Sequence, residues 1–255
     1  MRRHAIRMAR AAGLTLAFAF LAAVPLGAAG VRTIATVTLD TWFDASWRME
    51  AEDVLLVGVL PSFTLEARVA REDTEGWHAW EFGIGPVVNL TPNLYLVALY
   101  ALSVDSDAAV RHELDASLNH ETATTAVSLG AKADWFPSTG YFYVMPSLGG
   151  KFHPIPSLGL FGKAFVAIDR DGEASGSFWG EADWSVSRAI ALRAGGTMGT
   201  SGEFGWSAIA GVNVAITPKV LLKYTFKYLA EPVESLPGEP VKNGIENALV
   251  LDVRF

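Results

Sequence analysis

Residues 122–135 read Thr-Ala-Thr-Thr-Ala-Val-Ser-Leu-Gly-Ala-Lys-Ala-Asp-Trp. Ala123, Thr125, Val127, Leu129, Ala131, Ala133 and Trp135 alternate with Thr122, Thr124, Ser128, Gly130, Lys132 and Asp134. Successive residues of an extended chain project to opposite sides, so a period of two makes one apolar and one polar face. The same period runs through 57–69, where Val57, Val59, Phe63, Leu65, Ala67 and Val69 oppose Ser62, Thr64, Glu66 and Arg68. It runs again through 77–90, where His78, Trp80, Phe82, Ile84, Pro86, Val88 and Leu90 oppose Glu81, Gly83, Gly85 and Asn89. Helical three-four spacing is sustained nowhere beyond Val54. The chain is all-β.

Turn residues punctuate these segments in two styles. Thr91-Pro92-Asn93 and Thr217-Pro218-Lys219 are tight connections, each followed by an aliphatic–aromatic strand (LYLVALYAL and VLLKYTFKYL), and Ser187-Arg188-Ala189 is a third candidate. Asp-, Glu- and Gly-rich loops fall between them: 71–76, 105–108, 169–174, 200–203 and the longer 231–244. Short turns at one end and polar loops at the other are the pattern of an antiparallel up-and-down transmembrane β-barrel. Charge placement agrees. In this register the polar face collects Glu66, Arg68, Glu81, Arg111, Glu113, Asp115, Glu121, Lys132, Asp134, Lys151, Lys163, Glu181, Asp183, Arg193, Lys223, Lys227, Glu246, Asp252 and Arg254 as lumen charges. The apolar face carries no Lys, Arg, Asp or Glu within a strand. A lipid-facing Arg or Lys would cost roughly 2–4 kcal/mol at the bilayer midplane. Trp42–Phe43, Trp77, Trp80, Trp135–Phe136, Tyr141–Tyr143, Trp179, Trp184, Trp206 and Tyr224–Phe226–Tyr228 cluster near strand ends, as an interfacial aromatic girdle does. A soluble β-sandwich also alternates, and its core aromatics are the competing explanation.

The first residues account for part of the composition. Arg2, Arg3, Arg7 and Arg10 precede the apolar run AAGLTLAFAFLAAVPLG (11–27) and the small residues Ala28, Ala29 and Gly30. That order defines a secretory signal peptide, residues 1–29, cleaved after Ala29. The run is too short and too broken at Pro25 for a membrane-spanning helix. Removing it takes four of the 20 Lys+Arg and none of the 27 Asp+Glu, so −7 becomes sixteen cations against 27 acids, or −11. An acidic chain is a poor partner for nucleic acid. The absence of cysteine excludes a disulfide scaffold, a Cys-ligated metal centre and a Cys-linked lipid anchor. No cofactor or metal is expected.

The chain closes on Ala-Leu-Val-Leu-Asp-Val-Arg-Phe, with Leu249, Leu251, Val253 and Phe255 in alternation. This resembles the C-terminal strand of bacterial outer-membrane β-barrels, which ends in an aromatic residue. The resemblance implies an outer-membrane location and lipid surroundings. It also implies partners during biogenesis: periplasmic chaperones and the barrel-assembly machinery, which reads that strand as its signal. The Pro-containing turns before aromatic strands are also similar to those of YaiO-type barrels. Thirteen candidate strands can be drawn, from 33–46 through a single long 54–70 to 244–255. Bacterial single-chain barrels have an even number. Twelve strands over 54–255 satisfy that parity, with ten or fourteen as variants, and 30–53 is then an N-terminal segment, either a strand or a periplasmic or plugging piece.

Catalytic patterns are missing. His112–Glu113 and His120–Glu121 are sequence neighbours that a strand sends to opposite faces. His78 falls on the lipid-facing register, and His153 sits in a His-Pro-Ile-Pro turn. No Gly-x-Ser-x-Gly, His-Glu-x-x-His or P-loop pattern occurs. The residues point to a non-enzymatic barrel, a narrow passive channel for small ions or solutes. A structural or surface-interaction barrel is the alternative, and an outer-membrane hydrolase ranks below both. The lumen charges, ten acids and nine bases, imply a near-neutral bore with acidic mouths.

Overall fold

In a computed structural model, residues 31–42, 47–201, 203–229 and 244–254 are described. Residues 1–29 and Phe255 therefore lie outside the described residues, as does the stretch 230–243. Fourteen antiparallel strands form one closed barrel. They are β1 (Val31–Trp42), β2 (Trp47–Leu60), β3 (Phe63–Thr74), β4 (His78–Thr91), β5 (Leu94–Asp105), β6 (Val110–Glu121) and β7 (Thr125–Phe136), followed by β8 (Tyr141–Ile155), β9 (Leu158–Asp169), β10 (Ala174–Ser185), β11 (Ile190–Ser201), β12 (Glu203–Thr217), β13 (Val220–Leu229) and β14 (Gly244–Arg254). Each strand pairs with its sequence neighbours, and β1 pairs with β14 from Ile34↔Arg254 to Trp42↔Glu246, which leaves no free edge.

The count corrects the expected twelve, and the reason is local. The stretch 54–70 is two strands, joined at Pro61-Ser62. Alternation runs through that turn without a break in phase, so Val57 and Leu65 stay on the same face. Residues 31–42 and 47–60 are β1 and β2, so among the described residues the barrel begins at Val31 rather than Val54. The connections 61–62, 92–93, 156–157 and 218–219 all start with Pro. Each follows a ladder irregularity: Gly58/Leu60, Asn89/Thr91, Phe152/Ile155 and Ala215/Thr217. Proline presets φ near −65° and has no N–H, which suits a turn position.

A repeated hydrogen bond ties this rim together. The carbonyls of Ser62, Asn93, Thr124, Ser157, Ala189 and Lys219 accept from the N–H groups of Asn89, Glu121, His153, Ser185, Ala215 and Arg254. Each short turn is thereby fixed to the next hairpin. At the opposite rim the 106–109 and 170–173 loops share one construction. Asp105 Oδ1 accepts from the N–H of Asp107 and Ala109, and Asp169 Oδ1 accepts from Asp171 and Glu173. Gly172 (φ 83°) takes the left-handed conformation that Ala108 (φ 61°) takes in the matching loop. Residue 202 alone separates β11 from β12, where a polar loop was expected.

The outer face is apolar, with Phe82, Ile84, Leu129 and Leu148 each more than half exposed. A soluble protein would not leave so many large side chains uncovered around its whole circumference. The aromatics divide between faces. Outward Tyr100, His112 and Trp135 form a cluster at the loop rim, with Tyr100 Oη 2.6 Å from His112 Nδ1 and the His112 and Trp135 rings 5.1 Å apart. By register Phe136, Tyr141, Tyr143 and Trp179 point inward, so they leave the girdle predicted for them. The lengthened β2 and β3 also put three charges on the outer face. Arg71 bonds Asp73 at 2.8 Å and lies 5.0 Å from the Trp80 ring centroid, close to the loop end of β3. Asp53 is outward in mid-strand, and its Oδ1 has no hydrogen-bond partner among the described residues.

Closure through β1 has a direct check, since the chain has no native cysteine. Leu39→Cys with Leu249→Cys, register partners across the β1–β14 seam, is expected to form a disulfide in the folded protein. The oxidised barrel should then resist heat-induced loss of its compact electrophoretic mobility. A barrel that starts at Val54 would give no cross-link.

Candidate functional site

The inner wall is where the chain concentrates charge. Every lumen charge named above takes an inward register position, from Glu66 and Arg68 on β3 to Asp252 and Arg254 on β14. Six more charges join them from β1, β2 and β3: Arg32, Asp40, Arg48, Glu50, Glu52 and Glu72. These had no place in the sequence reading because 30–53 was set apart from the barrel and 71–76, with Glu72, was read as a loop. The signal that identifies them is the Pro61-Ser62 turn, which has the same form as the Pro turns at 92 and 218.

A continuous ionic belt crosses β2 to β8. Arg68 reaches Glu81 at 2.6 Å, Glu52 at 3.5 Å and Glu113 at 3.7 Å. Arg111 reaches Glu81 at 2.8 Å, and Lys132 reaches Glu113 at 2.8 Å and Asp134 at 3.6 Å. Tyr143 donates its hydroxyl to Asp134. Several of these bonds skip a strand: β3 and β6 meet across β4 and β5, and β4 and β6 meet across β5. The register explains how. Arg68, Gly83, Ala101, Glu113, Asp134 and Tyr143 lie in one row across the wall. Gly83 and Ala101 present almost no side chain, so the long side chains on either side lie over them. Ala101 is accordingly 1% exposed. A Cβ on Gly83 would come within 3.4 Å of Arg68 Cβ and Leu99.

Smaller pairs occupy the rest of the wall. Arg193 bonds Glu181 through Nη2 at 2.5 Å and lies 3.4 Å from Asp183. Lys223 bonds Asp252 at 2.6 Å, Lys227 reaches Glu246 at 4.0 Å, and Arg48 bonds Asp40 at 2.9 Å. The charge is unevenly distributed. On β1–β7 the carboxylates Asp40, Glu50, Glu52, Glu66, Glu72, Glu81, Glu113, Asp115, Glu121 and Asp134 outnumber Arg32, Arg48, Arg68, Arg111 and Lys132. On β8–β14 cations and acids are close to balance. The near-neutral lumen expected from the shorter barrel is thus corrected to one with an acidic wall. Many of these groups touch water: the side chains of Asp183, Arg48 and Arg111 are 40%, 34% and 31% exposed.

Among the described residues, the two His-Glu sequence neighbours are split between the faces. His112 projects outward to Tyr100 and Glu113 inward to Lys132. His153 is inward beside Gly159. Among the described residues, no group of His, Asp and Glu is arranged to hold a metal ion.

Consecutive hairpins closed on themselves, with an apolar exterior and a charged interior, are the architecture of transmembrane barrels. No protein-family model matches the sequence, and no curated protein matches it. Solved structures do. Omp33, an outer membrane protein of Acinetobacter baumannii, is similar with a TM-score of 0.57 at 12% identity, over 89% of this chain and 99% of that one. CymD, a monoaromatic hydrocarbon channel, gives 0.56 at 8%, over 88% and 87%. A loop-deleted OmpT, an outer membrane protein of Vibrio cholerae, gives 0.56 at 10%, over 89% and 100%. At such identities the likeness shows the fold.

Glu113 is the joint of the belt, its carboxylate within 4 Å of Arg68, Arg111 and Lys132. Glu113→Ala leaves those cations sharing fewer acceptors, at a cost of about 1–3 kcal/mol. The temperature at which the detergent-folded barrel loses its compact mobility should fall by several degrees, with a smaller fall for Glu113→Gln.

Proposed function

We propose that the protein is an outer-membrane barrel acting as a narrow passive channel for small ions or solutes, with a preference for cations. One observation carries this reading: water-exposed charges line the inside of a closed barrel whose outside is apolar. A hydrated, charged bore bounded by an apolar wall fits a path through a bilayer, as polar-lined barrels do. The excess of carboxylates on β1–β7 supplies the cation preference, because a low-dielectric wall of one sign raises the local concentration of counter-ions. Membrane insertion follows from the same faces. Leu249, Leu251 and Val253 project outward on β14, and together with Phe255 they are the proposed assembly signal.

The test is planar-bilayer recording on purified, folded protein. The expected result is single-channel conductance with potassium more permeant than chloride. Glu50→Gln with Glu52→Gln should move that ratio towards unity. Absence of conductance contradicts the channel, and a chloride preference contradicts the role given to the acidic wall.

A further inference from the structure

The wall beyond β8, next to the ionic belt, has a different chemistry. On β8 and β9, Lys151 is the register partner of Phe161, and Lys163 is the partner of Trp179 on β10. The Phe161 and Trp179 rings meet edge to face, with centroids 4.9 Å apart at 65°. All four side chains point into the bore. The lysine stems lie over glycines: Lys163 Cγ is 3.7 Å from where a Gly149 Cβ would stand, and Lys151 Cε is 3.6 Å from the same position at Gly159.

These lysines differ from the lumen cations that are held in ion pairs. Neither forms an ion pair among the described residues, whereas Lys132, Arg193, Lys223 and Lys227 all do. The acids beside them, Glu181 and Asp183, both lie against Arg193. Lys151 and Lys163 are diagonal neighbours, their backbone positions about 7–8 Å apart by ladder geometry. Two ammonium groups on one patch, neither held in an ion pair among the described residues, favour an anion there. The adjoining rings offer that anion an apolar, edge-to-face surface.

We propose that this patch on β8–β10 is a binding site for aromatic carboxylates, with the carboxylate on Lys151 and Lys163 and the ring on Phe161 and Trp179. Access to it rests on the open-lumen reading above. The acidic wall of β1–β7 disfavours small hydrated anions in the bore, so charge alone is insufficient and the ring contact selects the ligand. Both features are needed.

Calorimetric titration of the detergent-folded barrel with benzoate, acetate and phenol tests this. Benzoate should bind at least about tenfold more tightly than acetate, which has the charge alone, or phenol, which has the ring alone. Lys163→Gln and Trp179→Leu should each weaken benzoate roughly tenfold, the loss expected for one charge-assisted bond or one ring contact. Lys223→Gln, whose lysine is already paired with Asp252, should leave it unchanged. Undetectable benzoate binding, binding no tighter than acetate, or indifference to Lys163→Gln overturns the site. Because binding is read without current, selective binding in a non-conducting barrel would reject the channel and keep the site. Conductance without selective binding would do the reverse.

Discussion

Everything in this molecule depends on β1 meeting β14. A β-strand satisfies its backbone only through neighbours, and hydrocarbon offers no water to an open edge, where each unpaired N–H or C=O costs several kcal/mol. Pairing from Ile34↔Arg254 to Trp42↔Glu246 removes both edges at once. Once the sheet is closed, its two faces have different surroundings, and the period of two along each strand sorts the side chains between them.

The interior then poses a packing problem that glycine and alanine solve. Charged side chains on a concave wall would crowd if every position carried one. Gly83 and Ala101 open a shallow floor, and Arg68, Glu81, Arg111 and Glu113 fold across it, joining strands that are not neighbours. On the adjoining wall, Gly149 and Gly159 sit beneath Lys163 and Lys151 in the same way. The result is a bore with two unlike sides, one acidic and internally bonded, the other aromatic with unpaired lysines.

Much of this was legible in the sequence, and the misreadings have physical causes. Alternation identified the strands from 77–90 onward and the inward placement of residues such as Lys132 and Asp134. It failed at 54–70 because a two-residue turn preserves odd–even phase, so a hairpin and one long strand give the same pattern. Length was the available clue: seventeen residues extend about 56 Å, far more than a bilayer requires. That single error set aside 30–53 and with it Asp40, Glu50 and Glu52, which made the lumen look neutral. The Phe161–Trp179 pair was hidden for another reason. Aromatics near strand ends suggest a girdle, and only the register shows that Trp179 faces inward, beside Lys163.

The central claim is a closed barrel, wet inside and lipid-clad outside, and a chain without cysteine allows it to be measured directly. Single cysteines at Val127, Ser128, Leu129 and Lys132 on β7, in protein reconstituted into lipid vesicles, can be reacted with a hydrophilic methanethiosulfonate. The account predicts modification at 128 and 132 and protection at 127 and 129. Uniform reactivity along β7, or reaction confined to 127 and 129, would contradict it.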